Sequence, residues 1–335
     1  MHRSRFSRRM IGANPVAAML ALVAMVSVVS ADHAGAQAWP TQPVKIVVPY
    51  GAGGLGDVQA RLIADRLTKR LGQTFVIENR PGAGGTTAIE SVIRAPKDGY
   101  TLLFIAGLHY TILPHMQNLK YDPFKDLEPI SISGRWGMVV GVNVDSPIGS
   151  LRELIDYARA NPGKVDYSSA GPGGANHLAG AALAGREKLN MVHIPFGSGP
   201  ASLTAVMSKN VFVYFGNPTD IIAAAKGGKI KAIAVSTPKR MPQIPDVPTM
   251  SETIPGYDLT FWAGFVAAAG TPKNIIDRAA NTLAEISRED DMVKRLYDLG
   301  IESTAIMPAE FLEIVNKERS FYEALAESAG LQRPR

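Results

Sequence analysis

The sequence predicts an α/β protein of two lobes, each a mostly parallel sheet flanked by helices. Three observations lead there. After residue 40, short β-rich runs alternate with amphipathic stretches, the pattern of strands lying side by side with helices over both faces. The alternation comes in two sets, and 335 residues exceed one typical domain. Each set holds a strand that runs into a glycine-rich turn at the head of a helix. The first turn is Gly51-Ala52-Gly53-Gly54-Leu55-Gly56, and the second contains Gly171-Pro172-Gly173-Gly174.

Residues 1–36 read as a secretory signal peptide. Arg3, Arg5, Arg8 and Arg9 form a positive start, 16–31 is apolar and uncharged, and Ala34-Gly35-Ala36 is a small-x-small cleavage site. The apolar run is shorter than the roughly 20 residues that cross a bilayer. Cleavage near Ala36 would release the mature chain into the periplasm. The chain has no cysteine, which excludes a thiol-linked lipid anchor and any disulfide framework. The leader carries four Arg and one Asp, so removing +3 from the formal +5 leaves +2. No Lys/Arg cluster is interleaved with aromatics, and nucleic acid is not an expected partner.

In the first set, strands are expected at 44–49, 74–78, 101–106 and 129–133. Helices are expected at 57–71, where Ala60, Ile63, Ala64, Leu67 and Leu71 have helical spacing, and at 86–94. Thr87 with Glu90, and Ser150 with Glu153 ahead of a helix at 151–160, have capping-box spacing. The second set has strands at 165–168, 191–195, 211–215 and 230–235, with helices at 175–186, 201–208 and 219–225. The tail, at 273–287, 291–299 and 309–329, reads as wholly helical. Apolar extended runs at 137–143 and 259–268 are candidate hinge crossings. This gives a first lobe of 37–139 plus 262–335 and a second of 140–261.

A glycine turn at a helix start binds anions, because its unpaired N–H groups and the helix dipole both favour negative charge. Ligands in open α/β sheets lie beyond the carboxyl ends of the strands. If the lobes face each other there, both helix starts point into one cleft. Gly51, Gly53 and Gly56 also satisfy the dinucleotide-binding fingerprint, with Glu78 some 20 residues on. An NAD-binding oxidoreductase is therefore the alternative reading. Export, the crowding of Pro49 and Tyr50, and the place of Glu78 in a longer motif weigh against it. There is no G-x-S-x-G elbow and no H-E-x-x-H. His109, His115, His177 and His193 lack metal-ligand spacing, and Ser198 suits a helix start better than a nucleophile. No catalytic residue, cofactor or metal is expected.

A series of motifs covers the mature chain: W-P-x-x-P-V-K-I-V-V-P-Y at 39–50, A-G-G-x-x-D at 52–57, E-N-R-P-G-A-G-G at 78–85 and D-G-Y-T-L-L at 98–103. Y-D-P at 121–123, S-A-G-P-G at 169–173, H-L-A-G at 177–180 and H-I-P-F at 193–196 follow. G-K-I-K-A-I-A-V at 228–235, R-M-P-Q-I-P-D-V-P-T at 240–249 and G-T-P at 270–272 complete it. In this order they resemble the substrate-binding proteins of tripartite tricarboxylate transporters, the Bug-type extracytoplasmic receptors. The resemblance implies a periplasmic-binding-protein-like Venus flytrap, not an enzyme. It would close on a small carboxylate and deliver it to a permease of one large and one small integral membrane subunit. A ligand sensor for a membrane kinase would share the same chain features. The resemblance also implies a carboxylate held by loop amides, hydroxyls and water, in keeping with two turns that contain no Lys or Arg.

Ala52, Gly53, Gly54 and Asp57 are assigned to the first amide cradle, with helix capping as an alternative for Asp57. Ser169, Gly171, Gly173, Asn176 and His177 are assigned to the second. Tyr50, His109, Phe196, Ser198 and Phe215 are candidate walls or side-chain donors, and Glu78, Arg80 and Gly84 belong to scaffold loops. Relative to the family pattern, Leu55-Gly56, Pro172, Gly174, Phe196-Gly197 and Phe215-Gly216 remove polar groups, and His109 and Tyr110 stand where small residues are usual. An aromatic or bulky apolar carboxylate is the expectation from these departures.

Overall fold

The computed structural model describes residues 39–328 and 330–331; the leader expected over 1–36 lies outside them. From residue 42 the chain forms one compact unit with two sheets. Strand β1 (Val44–Val48) leads through the first glycine turn to α1 (Leu55–Leu71), followed by β2 (Phe75–Asn79), α2 (Thr86–Ile93) and β3 (Thr101–Ala106). The short helices α3 (Leu108–Thr111), α4 (Leu113–Met116) and α5 (Pro123–Asp126) precede β4 (Leu127–Gly137). Then come β5 (Val139–Asn143), α6 (Leu151–Ala160), β6 (Val165–Ser169), the second glycine turn, α7 (Ala175–Glu187) and β7 (Met191–Pro195). Next are α8 (Gly199–Met207), β8 (Val213–Gly216), α9 (Pro218–Lys226) and β9 (Ile230–Val235). The chain continues through α10 (Met250–Thr253), β10 (Thr260–Ala268), α11 (Lys273–Ile286), α12 (Asp290–Asp298), β11 (Glu302–Ile306) and α13 (Pro308–Ser328).

The first sheet has the order β11-β4-β10-β3-β1-β2 and the second β7-β6-β8-β5-β9. Strand β1 is parallel to β2 and β3, and β6 is parallel to β7 and β8. Strand β10 is antiparallel to β3 and β4, β11 to β4, and β5 to β8 and β9. Each sheet is therefore mixed rather than mostly parallel. The reason lies in the connections: β4 to β5 and β9 to β10 carry the chain from one sheet to the other, and β5 and β10 arrive against the direction of the βαβ strands.

Local sequence explains the elements that hold the turns. β1 reads Val-Lys-Ile-Val-Val; its four apolar residues are buried and only Lys45 is exposed, in keeping with a strand that has neighbours on both sides. Helix α1 buries Ala60, Ile63, Ala64 and Leu67 on one face. Each large member of that face contributes about 1.5–3 kcal/mol by leaving water. Gly72 ends the helix in the left-handed conformation that glycine adopts freely.

Only Met138 separates β4 from β5, and Ser236 ties the two crossings together. Its Oγ accepts from Met138 N–H at 2.8 Å and donates to Leu259 O at 2.6 Å. Its N–H donates to Met138 O at 2.9 Å, and its carbonyl accepts from Leu259 N–H at 3.0 Å. One buried serine thus pairs both chain passages between the sheets.

Three local expectations are corrected. The tail is not wholly helical: Glu-Ser-Thr-Ala-Ile forms edge strand β11, too polar to stand out from the flanking loops. Helix α2 starts at Thr86 behind Gly85, so Thr87 lies inside it and caps nothing. Ser150 does cap α6 by accepting from Glu153 N–H at 3.2 Å, but Glu153 Oε2 reaches back to Gly149 N–H, one residue further than a capping box requires.

Candidate functional site

The first glycine turn is folded back on itself by Asp57. Asp57 Oδ2 accepts from Gly53 N–H at 2.8 Å and from Arg61 Nε at 2.9 Å, and Oδ1 accepts from Asn79 Nδ2 at 2.8 Å. Asn79 Nδ2 also donates to Tyr50 O at 3.0 Å, and Arg61 Nη2 donates to Asn79 Oδ1 at 2.8 Å. Burial of Asp57, 2 % exposed, raises its pKa, but the bonds from Arg61, Gly53 and Asn79 outweigh this and hold the carboxyl below its ordinary value. Gly53 takes φ +83°, a left-handed conformation that a side chain would strain. Of the expected donors, Gly53 N–H is committed inside the turn; Ala52 and Gly54 are exposed. The first intrahelical bond of α1 runs from Val58 N–H to Gly54 O. The N–H groups of Leu55, Gly56 and Asp57 therefore have no intrahelical acceptor.

Tyr50 and His109 support this turn. The Tyr50 ring covers Gly56 so closely that a Cβ there would lie 2.7 Å from it, and it sits 5.8 Å from the His109 ring at 52°. His109 Nδ1 lies 3.0 Å from Ala106 O, and Nε2 occupies the space a Gly85 side chain would need. Burial drives the His109 pKa down to about 4, against the opposing pull of the Ala106 and Gly84 carbonyls. The imidazole is neutral at pH 7 and 2 % exposed. It is packed scaffold here, not an open wall. The Tyr50 hydroxyl is buried and its pKa raised by that burial.

The second turn uses side chains in place of a carboxylate. Gly171 N–H donates to Ser169 Oγ at 3.1 Å, Ser169 Oγ lies 2.6 Å from His193 Nε2, and Gly173 N–H donates to His177 Nδ1 at 3.0 Å. The His177 and His193 rings stack at 3.6 Å and 6°. Burial, and then the neighbouring His193, push the His177 pKa down to about 4. His193, outside the cradle assigned from sequence, joins this turn, and its place in H-I-P-F beside the S-A-G-P-G turn is the signal for it. The amides of Gly171 and Gly173 are thus committed within the turn. In α7 the first intrahelical bond runs from Leu178 N–H to Gly174 O, which leaves Ala175, Asn176 and His177 N–H without intrahelical acceptors. The open donors of both turns are the first helical N–H groups rather than the glycines themselves.

The remaining candidates separate. The Asn176 side chain donates to Phe215 O at 2.7 Å and locks α7 onto β8. Phe215 is wholly buried in the core beside Tyr167 and presents no wall. Tyr110 is likewise core, packed among Phe124, Trp262 and Phe311. Ser198 caps α8 by accepting from Ala201 N–H at 3.3 Å. Phe196 is half-buried against the core of the second sheet. Met116, from the α3–α4 segment that carries His109, reaches the second turn: a Cβ on Gly173 would lie 2.5 Å from its sulfur. Glu78, the acid a ribose would need, pairs with Lys45 at 2.7 Å and with Arg80. Among the described residues no cluster of His, Cys, Asp and Glu is arranged to hold a metal.

A family model described as "Tripartite tricarboxylate transporter family receptor" matches residues 59–331. The chain is 32% identical to a UPF0065 protein of Bordetella bronchiseptica over 98% of each chain. Among solved structures, R. palustris Rpa4515 with adipate superposes with a TM-score of 0.81 at 31% identity, over 88% of this chain and 100% of that one. MatC from Rhodopseudomonas palustris with bound malate gives 0.77 at 29% identity, over 86% and 99%.

Proposed function

Because the chain belongs to the tripartite tricarboxylate transporter family of receptors, which are solute-binding proteins and not enzymes, we propose that it captures a small dicarboxylate between two lobes built on its two sheets. The carrying observation is the pair of matched helix starts. Helices α1 and α7 each follow a glycine turn free of Lys and Arg, at the carboxyl end of a strand with neighbours on both sides, and each presents N–H groups with no intrahelical acceptor. One carboxylate per helix start is the charge pattern that uses both. Each helix terminus contributes up to about 2 kcal/mol to a partly buried anion. Each N–H bond to a charged acceptor adds roughly 1.5–3 kcal/mol.

The aromatic preference expected from sequence is not carried forward. Phe215 and Tyr110 lie in the core and His109 is packed scaffold, leaving Tyr50 and Phe196 as the aromatic wall candidates that are only partly buried. The adipate and malate of the two relatives support an aliphatic dicarboxylate. The leader expected over 1–36 supports a periplasmic receptor, and the family supports delivery to a permease with one large and one small membrane subunit. A thermal-shift panel of adipate, malate, citrate and benzoate tests the reading. A dicarboxylate at a hundredfold excess over its Kd stabilises the folded state by about 2.7 kcal/mol. Benzoate or citrate shifting the melt more than both dicarboxylates would refute the dicarboxylate assignment.

A further inference from the structure

A cavity of about 760 Å³ lies at the chain crossings, away from both glycine turns. The ends of β4 and β10, at Arg135, Trp136 and Thr260, form one side. Residues 237–243 beyond β9 form a second, and the α12–β11 junction with α13 closes the third. The sheet orders fix which way it faces. In the first sheet, β11 lies on one side of β4 and β10, and β1 with its glycine turn lies on the other. In the second, β9 lies on one side of β5, and β6 with its turn lies on the other. The cavity is on the β11 and β9 side, so the crossings stand between it and the dicarboxylate site.

The lining is half-furnished with bonds. Arg135 Nε and Trp136 Nε1 are buried donors without partners, and Gln243 Oε1 is a buried acceptor without one. Lys239, Asp258 and Glu302 also line it, and Asp258 accepts from Thr260 Oγ1 at 2.8 Å. Arg240 is held by Glu252 at 2.7 Å, and Glu318 accepts from Trp262 Nε1 at 2.8 Å. Burial raises the Glu318 pKa to about 7, against the pull of Trp262 and Arg135, so its negative charge is incomplete at neutral pH. Met241, Leu259, Ile301 and Phe321 supply apolar surface between the polar groups. The volume falls within the range of small-molecule sites, which combine apolar walls with a few convergent polar groups.

We propose that this hinge-face cavity is a second binding site, for a small carboxylate with an apolar body and a hydroxyl or amino donor. Its carboxylate meets Arg135 and Trp136, and its donor meets Gln243. Residues from both sheets line the cavity, so both hold the occupant. The proposal does not depend on the dicarboxylate reading, because none of these residues belongs to either turn.

Isothermal titration calorimetry of the mature protein with 4-hydroxybenzoate tests it, with phenol as the probe lacking the carboxylate. The expected result is saturable binding of 4-hydroxybenzoate that phenol fails to match by at least tenfold. Arg135→Gln should weaken it at least tenfold and Gln243→Leu at least threefold, and excess adipate should not displace it. Far-UV circular dichroism verifies folding. If Arg135→Gln does not fold, Gln243→Leu and a hydrogen-exchange footprint over 135–136 and 241–243 decide. Binding that both variants leave unchanged, displacement by adipate, a footprint confined to the glycine turns, or no binding would each overturn the proposal.

Discussion

Replacing Asp57 with alanine removes the group that shapes the first glycine turn. Three bonds are lost: from Gly53 N–H at 2.8 Å, Asn79 Nδ2 at 2.8 Å and Arg61 Nε at 2.9 Å. The Arg61 side chain is 51% exposed and rehydrates, so its share is small. Hydrogen bonds to a charged acceptor are worth roughly 1.5–3 kcal/mol each, and partial rewetting of the turn reduces the sum to about 2–4 kcal/mol. For a domain of this size that lowers Tm by about 5 °C. The turn also loses its fixed path, so the N–H groups of Leu55 and Gly56 are no longer aimed, and adipate affinity falls at least tenfold. Asp57→Asn keeps an acceptor for Gly53 and loses about half the stability that alanine loses. Thermal unfolding by circular dichroism and adipate titration by calorimetry read the two effects separately. An alanine variant melting within 1 °C of the parent and binding adipate unchanged would show that Asp57 does not organise this turn.

Gly85→Ala places a Cβ 2.5 Å from His109 Nε2 at φ +100°, beside a ring too buried to move. A loss of about 2–4 kcal/mol in urea unfolding is expected. Ser236→Ala strands the Met138 N–H and Leu259 carbonyl bonds at the crossings. It should cost about 1–3 kcal/mol, with hydrogen exchange at Met138 and Leu259 rising before the rest of the protein. The folded pKa of His109 is about 4, below its ordinary 6.5, so the unfolded chain binds the extra proton first. Stability from the neutral ring is therefore full above pH 6.5 and is lost as pH falls toward 4, by about 3 kcal/mol at most. Urea midpoints at pH 7.5 and 4.5 measure the loss, and His109→Phe should flatten part of the slope.

The strands and long helices were legible because their signals are local. The four apolar residues of V-K-I-V-V in β1 and the Ala60, Ile63, Ala64, Leu67 face of α1 have the burial their elements require. The glycine turns were legible as well, but the atoms that stay open in them were not. Asp57, Ser169 and His177 each reach a main-chain N–H within their own turn, and composition does not reveal which donors such contacts leave uncommitted. Phe215 is a candidate wall on sequence grounds, and the structure buries it in the core. Whether a strand residue such as Phe215 faces a cleft or the core is set by sheet register, which long-range pairing decides. Strand β11 escaped notice for a related reason: an edge strand with one apolar anchor, Ile306, carries almost no period.

Helix α13 touches β4 of the first sheet and α7 of the second. Any swing of one half past the other therefore drags α7 along α13. The sequence Ala-Asn-His-Leu-Ala-Gly-Ala-Ala-Leu-Ala-Gly gives α7 few protruding side chains, and Ala326 faces the shared core from α13. Two smooth rods in contact slide with little interlocking to break. The domain motion would then be part shear as well as part rotation, guided by the last helix of the chain.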